Sequence, residues 1–271
     1  MKFPIALQLY SIRDVAGGDL PGYMRQVREI GYDGVEMAGM YGKGAAELRK
    51  ILDDAGLKAI SAHVAFDDMS ADPGGVLGAY AELGCKWVAI PYLGEEYRIC
   101  GAKYDAALAG IKLLGETAKG LGMTLLYHNH EFEFMLSGGE YALDLLYKAI
   151  PADLLQTQVD TCWAKVAGVD PADYVRKYAG RAPVVHLKDY CMEGDSLGGV
   201  TDKAKLEGVT PKRNETFKFK HLGAGMQDMP ALIKASEDAG AEWLVVEQDF
   251  ATEGMTTIEC AKASYDCLKS L

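Results

Sequence analysis

One phrase recurs along this chain: a helix tail, a glycine, and within about two residues an apolar strand. It occurs in Asp53 to His63 (DDAGLKAISAH), Ala81 to Pro91 (AELGCKWVAIP), Lys119 to His130 (KGLGMTLLYHNH) and Glu237 to Gln248 (EDAGAEWLVVEQ). In each, Gly56, Gly84, Gly122 or Gly240 supplies the left-handed residue that ends a helix, a conformation glycine adopts without steric cost. Gly31 before Gly34-Val35-Glu36 is a further case, and Ala149-Ile150-Pro151 before LLQTQVD and Ala179-Gly180 before APVVHL are variants. Together with an opening strand from Ile5 to Tyr10, these seven junctions make eight strands.

The intervening segments read as helices. Asp19 and Pro21 start the first, with Leu20, Tyr23, Met24, Val27 and Ile30 at helical spacing. Tyr104, Ala107, Leu108, Ile111, Leu114, Ala118 and Leu121 form one stripe, as do Ile258, Ala261, Tyr265 and Leu268 in the last helix. Alternating strands and helices over 271 residues predict an α/β fold, a closed (β/α)8 barrel occupying residues 1–271 as a single domain. An open doubly wound sheet is the competing arrangement, but Gln8-Leu9-Tyr10-Ser11 after the first strand is not a glycine-rich phosphate loop. One connection breaks the rhythm. From Tyr190 to Gln227 no helical spacing is visible, so a long loop follows strand seven; the functional reading is a lid over the barrel mouth, the bland one a surface insertion.

Charge narrows the function. A net charge of -11 repels phosphate backbones, and no basic patch offsets it, so the expected partner is a small molecule and not nucleic acid. No apolar run reaches the ~20 residues of a membrane span, and no leader pattern opens the chain, which predicts a cytoplasmic protein without a membrane partner. The six cysteines form no CxxC pair or framework, as expected of reduced thiols, and Cys162 reads as a small buried hydrophobe. The sequence is compatible with a homo-oligomer and does not specify one.

In such a barrel, polar residues at the carboxyl ends of strands face the active site. Those ends read Gln8 and Tyr10, Glu36, His63, Pro91 and Tyr92, His128 and His130, Asp160, His186 with Lys188, and Glu247 with Gln248. Four of the five histidines fall there; only His221 does not. The densest end is LLYHNHEFEF, Leu125 to Phe134, in which strand alternation puts His128 and His130 on one face and Asn129 on the other. Strands five to eight thus offer His128, Asp160, His186 and Glu247, a nitrogen and oxygen set suited to one divalent metal ion, Mn, Zn, Co or Mg, with Zn or Mn better matched to imidazole. Taken singly, Asp160 or Glu247 would read equally well as a helix cap or a surface carboxylate.

QVDTCWAKVAGVDP (Gln158 to Pro171), VVHLKDY (Val184 to Tyr190), HLGAGMQD (His221 to Asp228) and WLVVEQD (Trp243 to Asp249), with YHNHEFEF before them, resemble the xylose-isomerase-like TIM barrel superfamily. Within it, the chain is similar to the sugar phosphate isomerase/epimerase group that includes tagatose 3-epimerase, hydroxypyruvate isomerase and inosose dehydratase. The resemblance implies a divalent metal held by Glu, Asp, His and Glu at the ends of strands five to eight. Asp160, His186 and Glu247 match three of those positions. The strand-five position departs, since His128 stands where the epimerases carry a glutamate; either His128 ligates instead, or Glu131 or Glu133 reaches in, or the metal is lost. Trp163 departs as well, standing where those enzymes often have a histidine three residues after the aspartate.

The chemistry this implies is that of a metal-dependent isomerase or epimerase acting on a keto-sugar or related polyol, or of a lyase acting on a keto-sugar or inosose cyclitol. Both begin with proton removal next to a carbonyl and stabilisation of an enediolate by a Lewis acid. His130 and Glu133 are the candidate bases beside His128, Lys188 a proton donor, and Glu247 the retained acid–base carboxylate. Glu36, His63 and Trp163 are expected to bind sugar hydroxyls or pack on the sugar face. A DNA-repair endonuclease on the same fold would need a basic face and more metal ligands, and a non-catalytic partner subunit would not need Asp160, His186 and Glu247.

Overall fold

The computed structural model describes residues 2–194 and 206–271. Eight parallel strands close into a barrel: β1 Ile5–Gln8, β2 Gly34–Ala38, β3 Lys58–His63, β4 Trp87–Ile90, β5 Thr124–His128, β6 Gln156–Asp160, β7 Val184–Leu187 and β8 Trp243–Val246, with β8 paired back to β1. Eight principal helices surround it: α1 Leu20–Ile30, α2 Ala45–Ala55, α3 Pro73–Leu83, α4 Tyr104–Gly120, α5 Ala142–Ala149, α6 Pro171–Lys177, α7 Met229–Ala239 and α8 Thr257–Ser270. The anticipated punctuation works as physics requires. Gly56, Gly84, Gly122 and Gly240 all have positive φ, and the Asp19 side chain accepts from Gly22 N at the start of α1.

Strand alternation builds the barrel interior in layers. At the bottom, Ala6, Ile60, Trp87, Ala89, Leu126, Val184 and Val245 form a dry plug. Two residues further along several of the same strands come Gln8, His128, His186 and Glu247, so the pleat that buries the plug also aims the polar residues at the axis. On β2 a register shift between Val35 and Glu36 places Glu36 opposite Ser61 of β3. The larger apolar core lies between barrel and helices, where Ala107, Ile111, Leu114 and Ala118 of α4 are buried.

Three local expectations change. The first strand stops at Gln8 because Gln8 turns its side chain back to accept from Tyr10 N, and Leu9–Ile12 form a 3-10 turn. β5 likewise stops at His128; His130 lies beyond it, before a 3-10 turn at Glu131–Phe134. Leu121, placed on the buried stripe of α4, is exposed, because the helix has ended at Gly120.

The long connection after β7 is partly ordered by one carboxylate. Asp189–Cys191 pairs antiparallel with Lys218–Lys220. Buried Asp189 accepts from the backbone N–H groups of Tyr190, Gly223, Gly225 and Gln227 at 2.9–3.1 Å. Gly225 is dictated by that approach, since a Cβ there would sit 2.2 Å from Asp189 Oδ1. The expected lid includes residues 195–205, which lie outside the described residues. No helix among the described residues is long and apolar enough to cross a membrane.

Candidate metal centre at the barrel mouth

The four strand-end donors converge. His128, Asp160, His186 and Glu247 each offer a ligand atom within 4.8 Å of the others, and all four are buried. β6 and β7 bring Asp160 opposite His186 in register, and β7 and β8 bring His186 opposite Val245, two residues before Glu247. Asn129, on the opposite side of the chain from His128, locks the end of β5 to that of β6. Its Nδ2 donates to Asp160 O at 3.2 Å and its Oδ1 accepts from Asp160 N at 3.0 Å.

Each donor is oriented by a neighbour. Asp160 Oδ1 caps the following turn by accepting from Trp163 N at 2.9 Å, while its Oδ2 is buried without a hydrogen-bond partner. His128 Nδ1 lies 3.2 Å from Gln158 Oε1, so a proton on Nδ1 leaves the lone pair on Nε2, which faces Asp160 Oδ2 at 3.8 Å and Glu247 Oε2 at 3.9 Å. His186 Nδ1 lies 2.9 Å from Glu247 Oε2, and Glu36 Oε1 lies 2.8 Å from Nε2 on the other side of the ring, without the alignment of a proper hydrogen bond. Donor atoms about 2.1 Å from a common ion stand roughly 3–4 Å apart. The spacings, the two imidazoles, the two carboxylates and the orphaned Asp160 Oδ2 therefore fit a divalent cation.

Beneath the donors lies a polar layer centred on Glu36, whose carboxylate is fully buried. It accepts from Gln8 Nε2 at 2.7 Å, Ser61 Oγ at 2.5 Å and Gln158 Nε2 at 2.6 Å, and it stands 3.0 Å from His63 Nε2. Burial alone would raise its pKa, but His63 and His186 outweigh that and hold it well below the carboxylate range. Glu36, expected among the sugar-binding residues, is thus occupied by protein partners. His63 stacks on His186 at 5.2 Å and also borders the mouth.

The electrostatics are strongly split. Burial pulls His186 down, yet Glu36 and Glu247 raise it to about 10. Burial raises Asp160 to about 6 despite Lys188. His128 is held well below 6.5 by burial and by the neighbouring imidazoles. Lys188 is 1% exposed, and its Nζ lies 3.4 Å from Asp160, 3.1 Å from Glu247 and 2.9 Å from Asp249. Burial disfavours its charge, but those carboxylates hold its pKa well above 10.5.

A cavity of about 360 Å³ opens over the centre, bordered by Tyr10, His63, Tyr92, His128, His130, Lys188, Glu247 and Asp249. His130 is held between Phe132, at 5.4 Å and nearly parallel, and Trp163, at 5.5 Å. Burial first, then Lys188, lowers it to about 3. Trp163 is buried under Phe217, which stacks on it at 5.6 Å, and its Nε1 has no hydrogen-bond partner. Glu133 is not at the mouth. Its carboxyl accepts from Tyr127 OH at 2.6 Å and His130 N at 2.7 Å and borders a different cavity. Neither Glu131 nor Glu133 belongs to the donor cluster, which contains His128.

Gln158, Asn129 and Asp249 had no site role assigned from the sequence, although a signal existed. Gln158 stands two residues before Asp160 on the same face of β6, and Asp249 two residues after Glu247, beyond the end of β8. All six cysteines are free thiols, and Cys162 is buried as expected.

Known proteins match this architecture. An inosose dehydratase of Geobacillus kaustophilus (strain HTA426) is 26% identical over 188 residues, 61% of this chain and 60% of that relative, so the chain spans under two thirds of its length. An inosose dehydratase of Clostridium beijerinckii (strain ATCC 51743 / NCIMB 8052) is 25% identical over 240 residues, covering 81% of this chain and 78% of the relative. The crystal structure of a sugar phosphate isomerase/epimerase from Parabacteroides distasonis ATCC 8503 superposes with a TM-score of 0.78 at 23% identity over 98% of both chains. Residues 24–271 match the model of one family, and with the closed barrel they establish that this chain belongs to the xylose isomerase-like TIM barrel family.

Proposed function

We propose that this protein is a divalent-metal-dependent lyase that removes the proton next to the carbonyl of a keto-cyclitol or keto-sugar and expels a β-hydroxyl as water. The observation that carries the reading is the convergence of His128, Asp160, His186 and Glu247 under a polar cavity, with Asp160 Oδ2 buried and without a hydrogen-bond partner. An ion held by those four residues would supply Lewis acidity to a carbonyl oxygen. The residues around it do the rest.

His130 is uncharged at neutral pH, the form a base requires, and its ring is fixed between Phe132 and Trp163. Its low proton affinity arises from burial and then from the Lys188 ammonium. Lys188 borders the same cavity and is charged, the form an acid requires. The two transfers therefore assist each other. As the C–H bond breaks, its proton passes to His130 and its electron pair becomes the new C=C bond. The β C–O bond breaks, and Lys188 protonates the departing hydroxide to water. Once Lys188 is neutral, it no longer opposes the His130 imidazolium. Asp249, 2.9 Å from Lys188, holds the ammonium at the mouth.

The similarity to inosose dehydratases supports elimination. The alternative, isomerization or epimerization, returns the proton to carbon. An exchange across two metal-linked glutamates would find one, Glu247, since β5 ends in His128. The test is incubation of inososes and free ketoses in D2O with added Mn or Zn, followed by NMR. An enone product with release of water supports the lyase; deuterium beside the carbonyl with retention of every hydroxyl would replace it with the isomerase.

A further inference from the structure

A second cavity, of about 260 Å³, lies outside the barrel mouth, behind the turn Glu131–Phe134. Its apolar walls include Leu93, Ile99, Met135 and Leu146. Arg98 lines it as well. Arg98 Nε donates to Leu93 O at 2.8 Å, the guanidinium lies 3.4 Å from the centroid of the Phe132 ring, and Nη2 is buried without a hydrogen-bond partner. Lys212, exposed on the long connection after β7, also lines it. The carboxyl groups at the cavity are Glu95, which is exposed, and Glu133, whose oxygens accept from Tyr127 and His130. No ion pair joins either of them to Arg98 among the described residues.

A buried guanidinium N–H without an acceptor is unfavourable, and an apolar chamber with two cations at its edge is completed by a ligand with the opposite pattern. We infer that this chamber binds an amphipathic monoanion, an aryl or alkyl carboxylate, whose carboxylate pairs with Arg98 Nη2 and Lys212 while its tail fills the space between Ile99, Met135 and Leu146. Arginine suits the role because its planar fork grips a carboxylate through parallel N–H donors. The mouth cavity is distinct: the two share no lining residue. Phe132 is the wall between them, since it also stacks on His130 and meets Tyr92 edge-on at 5.3 Å. A ligand on Arg98 therefore presses on the ring that orients the proposed base, which makes the chamber an effector site.

The test is a ¹⁹F NMR titration with 4-fluorophenylacetate as probe, on the metal-loaded protein and on four variants. Arg98→Gln removes the fork and Ala142→Phe fills the chamber; Lys212→Gln removes the second cation from the surface; Asp160→Asn alters the metal centre alone. Saturable binding that weakens at least tenfold in Arg98→Gln and Ala142→Phe, weakens less in Lys212→Gln and is unchanged in Asp160→Asn is the expected result. Circular dichroism identifies any misfolded variant, and Ala142→Phe and Lys212→Gln decide the matter if Arg98→Gln does not fold. Absence of saturable binding, or binding lost in Asp160→Asn and kept in Ala142→Phe, overturns the inference. Because no readout depends on turnover, failure here leaves the lyase reading to its own test.

Discussion

Glu133 makes stability a function of pH in a way that can be measured. Buried against Tyr127 and the His130 amide, its carboxyl is raised from 4.5 to about 8; burial is the cause, only partly offset by those hydrogen bonds and by Arg98. Between those two values the folded chain holds a proton that the unfolded chain has released. Stability therefore falls as pH rises, by about 1.4 kcal/mol per unit, and levels off above the folded pKa. The ceiling across the whole window is roughly 5 kcal/mol, and from pH 6 to pH 8 the loss from this group is about 2 kcal/mol. Glu133→Gln cannot ionise. Its amide also presents a donor where two donors now converge, so the variant starts less stable, but that cost does not vary with pH. Urea unfolding of both proteins in chelator at pH 6, 7 and 8 isolates the term, because every other titrating group, the metal ligands included, contributes nearly equally to both. The wild type should lose about 2 kcal/mol more than the variant over this range. Parallel lines would refute the buried, protonated Glu133.

Asp160→Ala and His128→Ala should each abolish bound divalent metal in elemental analysis while leaving circular dichroism unchanged; full occupancy in both would remove the metal centre. His130→Ala should keep its metal and lose about 10²–10⁴-fold in turnover, the usual contribution of a general base, with deuterium uptake beside the carbonyl falling in parallel. Glu36→Gln leaves the four donors in place but removes the carboxylate that faces His186 Nε2; metal affinity should drop about 10–100-fold, read by competition with a chromophoric chelator, and an unchanged affinity would make Glu36 a packing residue only.

The barrel was legible because its signals are local and repeated. A glycine that ends a helix, followed by an apolar run, requires no long-range information, and Gly56, Gly84, Gly122 and Gly240 have the left-handed φ their positions imply. The donor set was legible for a related reason: closure of the sheet brings all strand ends to one rim, so His128, Asp160, His186 and Glu247 needed only correct strand ends. What escaped depends on where a side chain goes once the strand stops. Glu133 follows His130 by three residues, and its turn sends the carboxyl back to Tyr127, a partner that alternation along an extended strand cannot anticipate. Glu36 looked like a mouth residue because the sequence suggests a strand end there, whereas β2 continues to Ala38; the register shift at Val35 and the donors Gln8, Ser61 and Gln158 turn it into a buried anion beneath the site. Asp189 gave no sign of ordering Gly223 to Gln227, since three of its four amide contacts are separated from it by the connection itself.

Lys188 explains why so much acid can be buried at one spot. Glu36, Asp160, Glu247 and Asp249 are four carboxylates set against Lys188, which His186 joins as a second cation only while it is protonated and not a ligand. Buried charge without compensation is far costlier than a hydrogen-bonded pair, so such a set persists only if something balances it. Lys188 balances Glu247 and Asp249 from the side, with its ammonium 5.0 Å from the centroid of the Trp163 ring, and stands 3.4 Å from Asp160 Oδ2, which still has no hydrogen-bond partner and faces His128 Nε2 at 3.8 Å. With His186 neutral as a ligand, the four carboxylates exceed Lys188 by three negative charges, and a divalent cation among the four donors would offset two of them. The same lysine that balances these carboxylates is the proton donor of the proposed reaction, so site assembly and the proposed chemistry rest on one residue.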